Sequence, residues 1–302
     1  MIRHIYILIF AWIAVTVSSL AQSRPPMEFP RWAPSVRGGA LHDFETGMDG
    51  GGAFSVDRYY TELGLGRMWR FDRMVSVSYG FGRDDYHFND LPASGGPWGD
   101  IENQRIGLFA RWALDDRWTL FAGPSVRAYY ETGADPDDGL TAAVFGGASY
   151  RFNDRLSLGP GFGVVGQLED DPSYFPVLVV KWAITDKLDF QTGGGLAATG
   201  GPGLALNYRL AKKWKTSVSV RYERKRFRLA DDGPFPGGVG EDKNIPVFGS
   251  LSYEVYPRGT ISAIYGAGFG GNMMVEKSQS INSFNMSYDN LFSFGFAADF
   301  KF

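Results

Sequence analysis

The sequence contains no cysteine, which excludes a disulfide framework, a thiolate metal site and a cysteine nucleophile. Histidine is scarce too, with three residues in 302. Beyond an apolar stretch at residues 5–17, no run approaches the about 20 apolar residues that a transmembrane helix needs. The chain therefore lacks the features of thiol enzymes, thiolate metal proteins and helical membrane proteins.

The sequence also has no excess of positive charge. Without Arg3 in the N-terminal segment, 29 basic residues face 33 acidic residues, a net charge of −4. Proteins that bind nucleic acid need clustered positive charge to neutralise the phosphates. The composition therefore argues against nucleic acid as a partner.

The first 21 residues have the pattern of a secretory signal peptide. Arg3 gives a basic start, residues 5–17 form an apolar core, and Ser19 and Ala21 are the small residues before the cleavage site. A membrane-anchoring helix is the alternative, but the apolar core is shorter than a membrane span. We predict cleavage after Ala21, an N-terminal extension over residues 22–32 and one domain over residues 33–302.

A period of two dominates the rest of the chain. In residues 118–130, large apolar side chains alternate with small or polar ones, which is the pattern of a strand with two different faces. The last strand is the clearest case, because its apolar face carries Phe292, Phe294, Phe296, Ala298, Phe300 and Phe302. This pattern predicts an all-β fold.

The strands are longer than the about 5–6 residues of ordinary sheets, and about 9–11 tilted residues cross a bilayer. The connections alternate in length. Short turns contain residues 71–73, 115–117, 153–155, 185–187, 211–213 and 257–259. Longer polar segments cover residues 89–103, 131–139, 167–173, 229–244 and 271–290. The sequence therefore predicts a transmembrane antiparallel up-and-down β-barrel with short periplasmic turns and longer extracellular loops.

Counting strands before and after each short turn gives 14. Even parity agrees with closure of the barrel. The first strand, near residues 33–44, alternates poorly and contains Pro34. If this segment is not a strand, the alternative is a barrel of 12 strands.

Tryptophan residues recur close to the predicted periplasmic turns. They are Trp69, Trp112, Trp118, Trp182 and Trp214. The indole ring is apolar, whereas its N–H can reach headgroups or water, so tryptophan is common at membrane interfaces. We predict that these five residues form a periplasmic aromatic girdle, with core packing as the alternative for each one alone.

The signal peptide, the alternating strands, the tryptophans near short turns and the final strand FSFGFAADFKF together resemble bacterial outer-membrane β-barrel proteins of the porin type. The resemblance covers residues 31–302 and extends to barrel families of unknown function. It implies a place in the bacterial outer membrane, in contact with lipid and lipopolysaccharide. It also implies that the barrel-assembly machinery reads a signal at Phe296, Ala298, Phe300 and Phe302.

The polar face of the strands predicts the residues that line the barrel interior. They are Glu62, Arg105, Arg111, Arg127, Lys181, Asp189, Gln191, Asn207, Arg209, Arg221, Glu223, Glu254, Asp299 and Lys301. Rings of charge set the selectivity of pores, so we predict a passive channel for small polar or anionic solutes. The alternative is that these charges pair across strands, in a structural or adhesive barrel with a plugged lumen.

An enzyme embedded in the barrel is a further alternative. After cleavage of the signal peptide only His42 and His87 remain, and His87 follows Asp84 and Asp85 closely enough for a carboxylate and an imidazole to activate a water. No serine lies in a recognisable nucleophile motif. We therefore predict neither catalysis nor a cofactor or metal site.

Overall fold

The computed structural model describes residues 29–91, 96–193, 203–277 and 281–302. The predicted signal peptide and residues 22–28 of the predicted extension lie outside the described residues. The first eight strands are β1 (Arg31–Gly47), β2 (Ala53–Arg70), β3 (Arg73–Asn89), β4 (Ile101–Ala113), β5 (Trp118–Glu131), β6 (Leu140–Arg151), β7 (Leu156–Gln167) and β8 (Asp170–Ala183). The next eight are β9 (Leu188–Thr192), β10 (Gly203–Arg209), β11 (Trp214–Arg221), β12 (Glu223–Arg228), β13 (Val239–Tyr256), β14 (Gly259–Lys277), β15 (Ile281–Tyr288) and β16 (Leu291–Lys301).

Fourteen strands of the described part of the chain form a closed antiparallel ring. Strands β1 to β11 pair in sequence order, β11 pairs with β13, β13 with β14, and β14 with β16. The ring closes between β16 and β1, from Ser35 opposite Lys301 to Asp43 opposite Ser293. The predicted barrel of 14 strands is confirmed. The alternative of 12 strands is wrong, because β1 is a strand that pairs on both sides.

Short turns join the strands at one end of the barrel, as predicted. In the turn between β4 and β5, the Asp115 carboxylate accepts hydrogen bonds from the backbone N–H groups of Trp118 and Arg117, both at 2.7 Å. These bonds lower the pKa of Asp115. Asn153 makes the same pair of contacts in the turn between β6 and β7, at 2.9 Å. A side-chain acceptor at the same position explains why these turns resemble one another in sequence.

Three of the predicted long loops are shorter in the structure. Residues 167–173 contain a two-residue turn, Leu168 and Glu169, between β7 and β8. Residues 229–244 include the start of β13, and residues 271–290 include the end of β14 and all of β15. These segments are rich in glycine and polar residues, which indicates loops, but their backbones pair with neighbouring strands.

Helical structure in the described residues is limited to one 3₁₀ turn, Pro136–Gly139, between β5 and β6. Asp135 caps this turn, because its side chain accepts a hydrogen bond from the N–H of Asp137 at 3.0 Å. No helix in this part of the chain is long and apolar enough to cross a membrane.

One face of the barrel wall is apolar and exposed. Leu63 and Leu65 on β2 and Val75 and Val77 on β3 are all exposed, and the residues between them are small or polar. In a closed ring, alternate residues point outward and inward. An exposed apolar surface that runs around a whole ring requires an apolar solvent. The wall therefore has the character of a transmembrane β-barrel.

A hairpin continues β11 and β13 beyond the ring and folds across one mouth of the barrel. Strand β12 pairs along its whole length with the first part of β13, and its last residue, Arg228, also pairs with Tyr130 on β5. Strand β12 thus connects two distant parts of the wall. Its side chains contact inward-facing residues, and Phe227 has no exposed surface. We refer to residues 223–244 as the inner hairpin.

Candidate functional site: the barrel interior

The structure places the predicted interior residues on two kinds of element. Glu223 begins the inner hairpin. Eight more of the predicted interior residues lie on wall strands, at positions that alternate with exposed apolar residues. They therefore share the inward face. They are Glu62 (β2), Arg105 and Arg111 (β4), Arg127 (β5), Lys181 (β8), Arg209 (β10), Arg221 (β11) and Glu254 (β13). Arg221 is buried, whereas Arg105, Lys181 and Arg209 are exposed.

A row of charged residues crosses the inward face from β13 to β2. The backbone register places Glu254 opposite Thr260, which is opposite Asp299. Asp299 is opposite Arg37, and Arg37 is opposite Glu62. The Arg37 guanidinium lies 3.1 Å from Asp299 and 3.7 Å from Glu62. Opposite charges therefore neutralise one another in this part of the interior.

The continuation of this row on β4 and β5 carries positive charge alone. Glu62 is opposite Gly80, Gly80 is opposite Arg105, and Arg105 is opposite Arg127. Arg127 Nε donates a hydrogen bond to Thr141 Oγ1 at 3.2 Å. Within the described ranges, neither arginine forms an ion pair with a carboxylate. Like charges at opposite cross-strand positions repel, so this pair is a site of surplus positive charge.

A buried ionic cluster joins the inner hairpin to the wall. Its members are Asp43 on β1, Arg58 on β2, Asp84 on β3, Lys225 on β12 and Asp242 on β13. Arg58 Nε lies 2.5 Å from Asp43, and Arg58 Nη1 lies 2.6 Å from Asp84. Lys225 Nζ donates to Asp84 at 2.8 Å, and Arg58 Nη2 lies 3.7 Å from Asp242. Because Lys225 and Asp242 belong to the hairpin, their bonds to Asp84 and Arg58 hold it against the strands β2 and β3.

Hydroxyl groups complete the buried ionic cluster. Tyr86 and Tyr288 each donate a hydrogen bond from the hydroxyl to Asp242 at 2.8 Å. Ser293 donates to Asp43 at 2.6 Å. Each carboxylate of the cluster thus accepts from at least two donors. Buried charges are stable when they are paired and hydrogen-bonded in this way.

The inner hairpin also crosses the end of the barrel opposite the short turns. Arg226 Nη2 lies 2.7 Å from Glu276 on β14 and donates to the carbonyl of Leu168 at 2.8 Å. Arg228 Nη1 lies 2.7 Å from Glu169. Since Leu168 and Glu169 form the turn between β7 and β8, the hairpin is tied to opposite sides of this mouth.

An apolar cluster fills the space between the hairpin and one side of the wall. Its members are Met48, Phe54, Val56, Tyr86, Trp98, Ile101, Phe227, Leu229, Met273, Val275, Tyr288 and Leu291. Phe227 packs edge to face against Trp98, with 4.9 Å between the ring centroids. The interior beside β1 to β4 and β13 to β16 is therefore occupied by protein at this level.

The inward face from β4 to β10 is not covered in the same way. Phe145 on β6 is 37% exposed although it is in register with the inward-facing residues Gly123 and Gly163. Arg105 and Lys181 are exposed as well. Exposed side chains on the inner face of a closed ring indicate space for water. We refer to this space, between the inner hairpin and the wall from β4 to β10, as the residual lumen.

The predicted carboxylate and histidine cluster does not converge on one site. Asp84 faces inward and belongs to the buried ionic cluster, whereas Asp85 and His87 lie on the outer face of β3. His87 Nε2 lies 3.8 Å from Asp57, and His42 Nδ1 lies 2.8 Å from the same carboxylate. Among the described residues, no group of His, Asp and Glu is arranged to hold a metal ion.

The predicted aromatic positions lie at the ends of strands. Trp69, Trp112, Trp118, Trp182 and Trp214 all lie beside short turns and are between 41% and 45% exposed. On β16, Phe296 is exposed, whereas Phe300 is 7% exposed because it stacks on Tyr256 with 5.8 Å between the centroids. The N–H of Phe302 donates to the carbonyl of Pro34 at 2.9 Å, which extends the closure between β16 and β1.

No family model and no curated protein matches the chain. Among solved structures, an outer membrane channel from Pseudomonas putida F1 is similar at 8% identity and a TM-score of 0.47, over 93% of this chain and 100% of that chain. The toluene transporter TodX of Pseudomonas putida is similar at 8% identity and a TM-score of 0.41, over 90% of each chain. The KdgM porin is similar at 9% identity and a TM-score of 0.36, over 88% of this chain and 99% of that chain.

These similarities concern the fold alone. The closed ring of 14 strands and its apolar outer face by themselves define the architecture of a transmembrane β-barrel. The resemblance derived from the sequence is confirmed at this level.

Proposed function

We propose that the protein is a passive outer-membrane channel for small polar or anionic solutes. The observation that carries the proposal is the residual lumen, where Arg105, Lys181 and Arg209 are exposed on the inner face of a closed ring. Clusters of charge set the selectivity of pores. The unneutralised pair Arg105 and Arg127 therefore favours anions over cations.

The location and the partners belong to the same proposal. The apolar outer face supports contact with outer-membrane lipid and lipopolysaccharide, and the predicted signal peptide supports export. The aromatic end of β16, with Phe296, Phe300 and Phe302, supports recognition by the barrel-assembly machinery. The chemistry of passive diffusion needs no cofactor.

Single-channel recording in planar bilayers tests the proposal. We expect the purified mature protein to conduct, and its reversal potential in a potassium chloride gradient to indicate a preference for chloride. Arg105→Gln, Arg111→Gln and Arg127→Gln should each reduce this preference. Lys212→Gln, in the exposed turn between β10 and β11, is the matched control and should leave it unchanged. If correctly inserted protein conducts no current, the proposed channel function is wrong.

A structural or adhesive barrel with a plugged lumen is the second candidate. The inner hairpin favours it, because bonds to β2, β3, β14 and the turn between β7 and β8 hold the hairpin across one mouth. This candidate predicts no conductance for the wild type and none for a variant whose hairpin has been released. A conducting wild type excludes it.

A further inference from the structure

A row of aromatic side chains lies on the inward face between β4 and β8. A channel that only prefers small anions has no need of aromatic side chains in its lumen. The register pairs Gly123 with Phe145, Phe145 with Gly163, and Gly163 with Phe175. Phe109 on β4 stacks with Phe145, with 6.2 Å between the centroids and 23° between the planes. We refer to Phe109, Phe145 and Phe175 as the lumen aromatic row.

Glycine residues set the orientation of these rings. A side chain at Gly123 would collide with the ring of Phe145, and a side chain at Gly163 would collide with the ring of Phe175. Both rings therefore lie against the backbone of the neighbouring strand. In this orientation the aromatic faces form part of the inner wall of the residual lumen.

The lumen aromatic row lacks the cover that other interior aromatic residues have. Phe54 and Phe227 have no exposed surface, because the inner hairpin and the apolar cluster enclose them. Phe145 is on the same inner face of the ring, yet no segment in the described part of the chain encloses it to that degree. A concave apolar surface that remains exposed beside polar groups is typical of a ligand-binding site.

Positive charge lies on both sides of the row. Arg105 is four residues from Phe109 along β4, and Thr141, opposite Arg127, is four residues from Phe145 along β6. Four residues of a strand span about 13 Å. An arginine side chain, together with a short alkyl linker in a bound ligand, is long enough to bridge this distance. Arg111, two residues from Phe109 on the other side, is about 7 Å away along the strand.

We propose that the residual lumen binds amphipathic anions, in which a carboxylate is linked to an aromatic ring. The carboxylate would lie between Arg105 and Arg127, where a charge-assisted hydrogen bond removes the repulsion between the two guanidinium groups. The ring would stack on the lumen aromatic row, in the offset or edge-to-face arrangements that aromatic pairs prefer. This inference rests on the proposed channel function and specifies its substrate class.

Current block tests the inference. In planar bilayers, 4-phenylbutyrate should reduce the chloride current of the wild type at a concentration about tenfold lower than acetate, which has the charge without the ring. Benzyl alcohol, which has the ring without the charge, should be similarly weak. Equal potency of 4-phenylbutyrate and acetate overturns the inference.

Matched variants locate the site. Phe145→Ala should raise the blocking concentration of 4-phenylbutyrate about tenfold and leave that of acetate unchanged. The double variant Arg105→Gln with Arg127→Gln should weaken block by both carboxylates. Phe162→Ala, an exposed phenylalanine on the outer face, is the control for ring removal and should change neither. Unchanged block in Phe145→Ala overturns the inference.

A binding measurement separates this inference from the channel function. Equilibrium dialysis of 4-phenylbutyrate against the protein in lipid nanodiscs, with empty nanodiscs as the blank, needs no current. If 4-phenylbutyrate binds to the wild type and not to Phe145→Ala, while planar bilayers show no current, the binding site is supported and the channel function is overturned. A conducting wild type without binding that depends on Phe145 overturns the site and leaves the channel intact.

Discussion

Lys225 on the inner hairpin and Asp84 on β3 lie 2.8 Å apart, although 141 residues separate them in sequence. Asp84 also accepts a hydrogen bond from Arg58, so one buried carboxylate binds a basic residue from the wall and one from the hairpin. This contact links the inner hairpin directly to the wall.

Lys225→Met should release the inner hairpin. The substitution leaves the buried carboxylates of Asp84 and Asp242 with a single guanidinium, Arg58, and breaking a buried ion pair in this way costs about 3 kcal/mol. We expect larger single-channel conductance and new tryptic cleavage at Arg226 or Arg228. Lys212→Met in an exposed turn is the control. If conductance and cleavage match the wild type, the cluster does not hold the hairpin in place.

Phe227→Ala should destabilise the hairpin through its apolar side. Phe227 is fully buried against Trp98, and removing a buried phenylalanine ring costs about 3–5 kcal/mol. We expect a lower midpoint of thermal unfolding in detergent, measured by circular dichroism. Phe162→Ala, whose ring is exposed on the outer face, should change the midpoint much less. Equal effects of the two substitutions would mean that the interior is not packed as described.

The sequence predicts the barrel wall well, because each wall strand has its own local signal. In β16, alternation of Phe292, Ser293 and Phe294 is enough to assign the two faces. The turns are local as well, since Asp115 bonds to residues two and three positions further on. Strand β1 is the exception, because its alternation is poor and a barrel of 12 strands would also satisfy even parity. Its pairing with β2 and β16 in the structure establishes it as a strand.

The inner hairpin could not be predicted in this way. Its strand β12 has the sequence ERKRFR, which indicates a solvated loop, and its partners Asp84 and Glu276 are distant in sequence. A basic segment that pairs with carboxylates on several strands has no periodic pattern of its own. The alternation on β3 does carry one usable signal, because it separates Asp84 from Asp85 and so argues against a shared site.

The five tryptophans beside the short turns should lie at one depth in the membrane. Single-tryptophan variants that keep Trp69, Trp118 or Trp214 should be quenched more by lipids labelled near the headgroup than by lipids labelled at mid-chain, since indole prefers the interface. Trp98, buried in the apolar cluster inside the ring, should be quenched weakly by both. Stronger mid-chain quenching of the three outer tryptophans would contradict the girdle.

Deletion of Phe302 should impair insertion of the barrel. The residue extends the closure between β16 and β1, because its N–H donates to the carbonyl of Pro34 and its own carbonyl accepts from Arg31 at 2.8 Å. We expect less folded protein in the outer membrane, measured by the heat-dependent shift in gel mobility. Phe292→Ala on the same strand keeps both bonds and should assemble normally. Equal yields of the two variants would exclude a role for the terminal aromatic residue.

Cysteine labelling at two adjacent residues tests the central claim, that hydrocarbon covers one face of each wall strand and water reaches the other. Since the chain has no cysteine, Ser125→Cys and Val126→Cys on β5 each provide a unique thiol. In intact membranes, a membrane-impermeant maleimide should react with the inward-facing Ser125→Cys and not with the exposed, outward-facing Val126→Cys. Reaction at Val126→Cys, or at neither position, would contradict a lipid-embedded barrel with water inside.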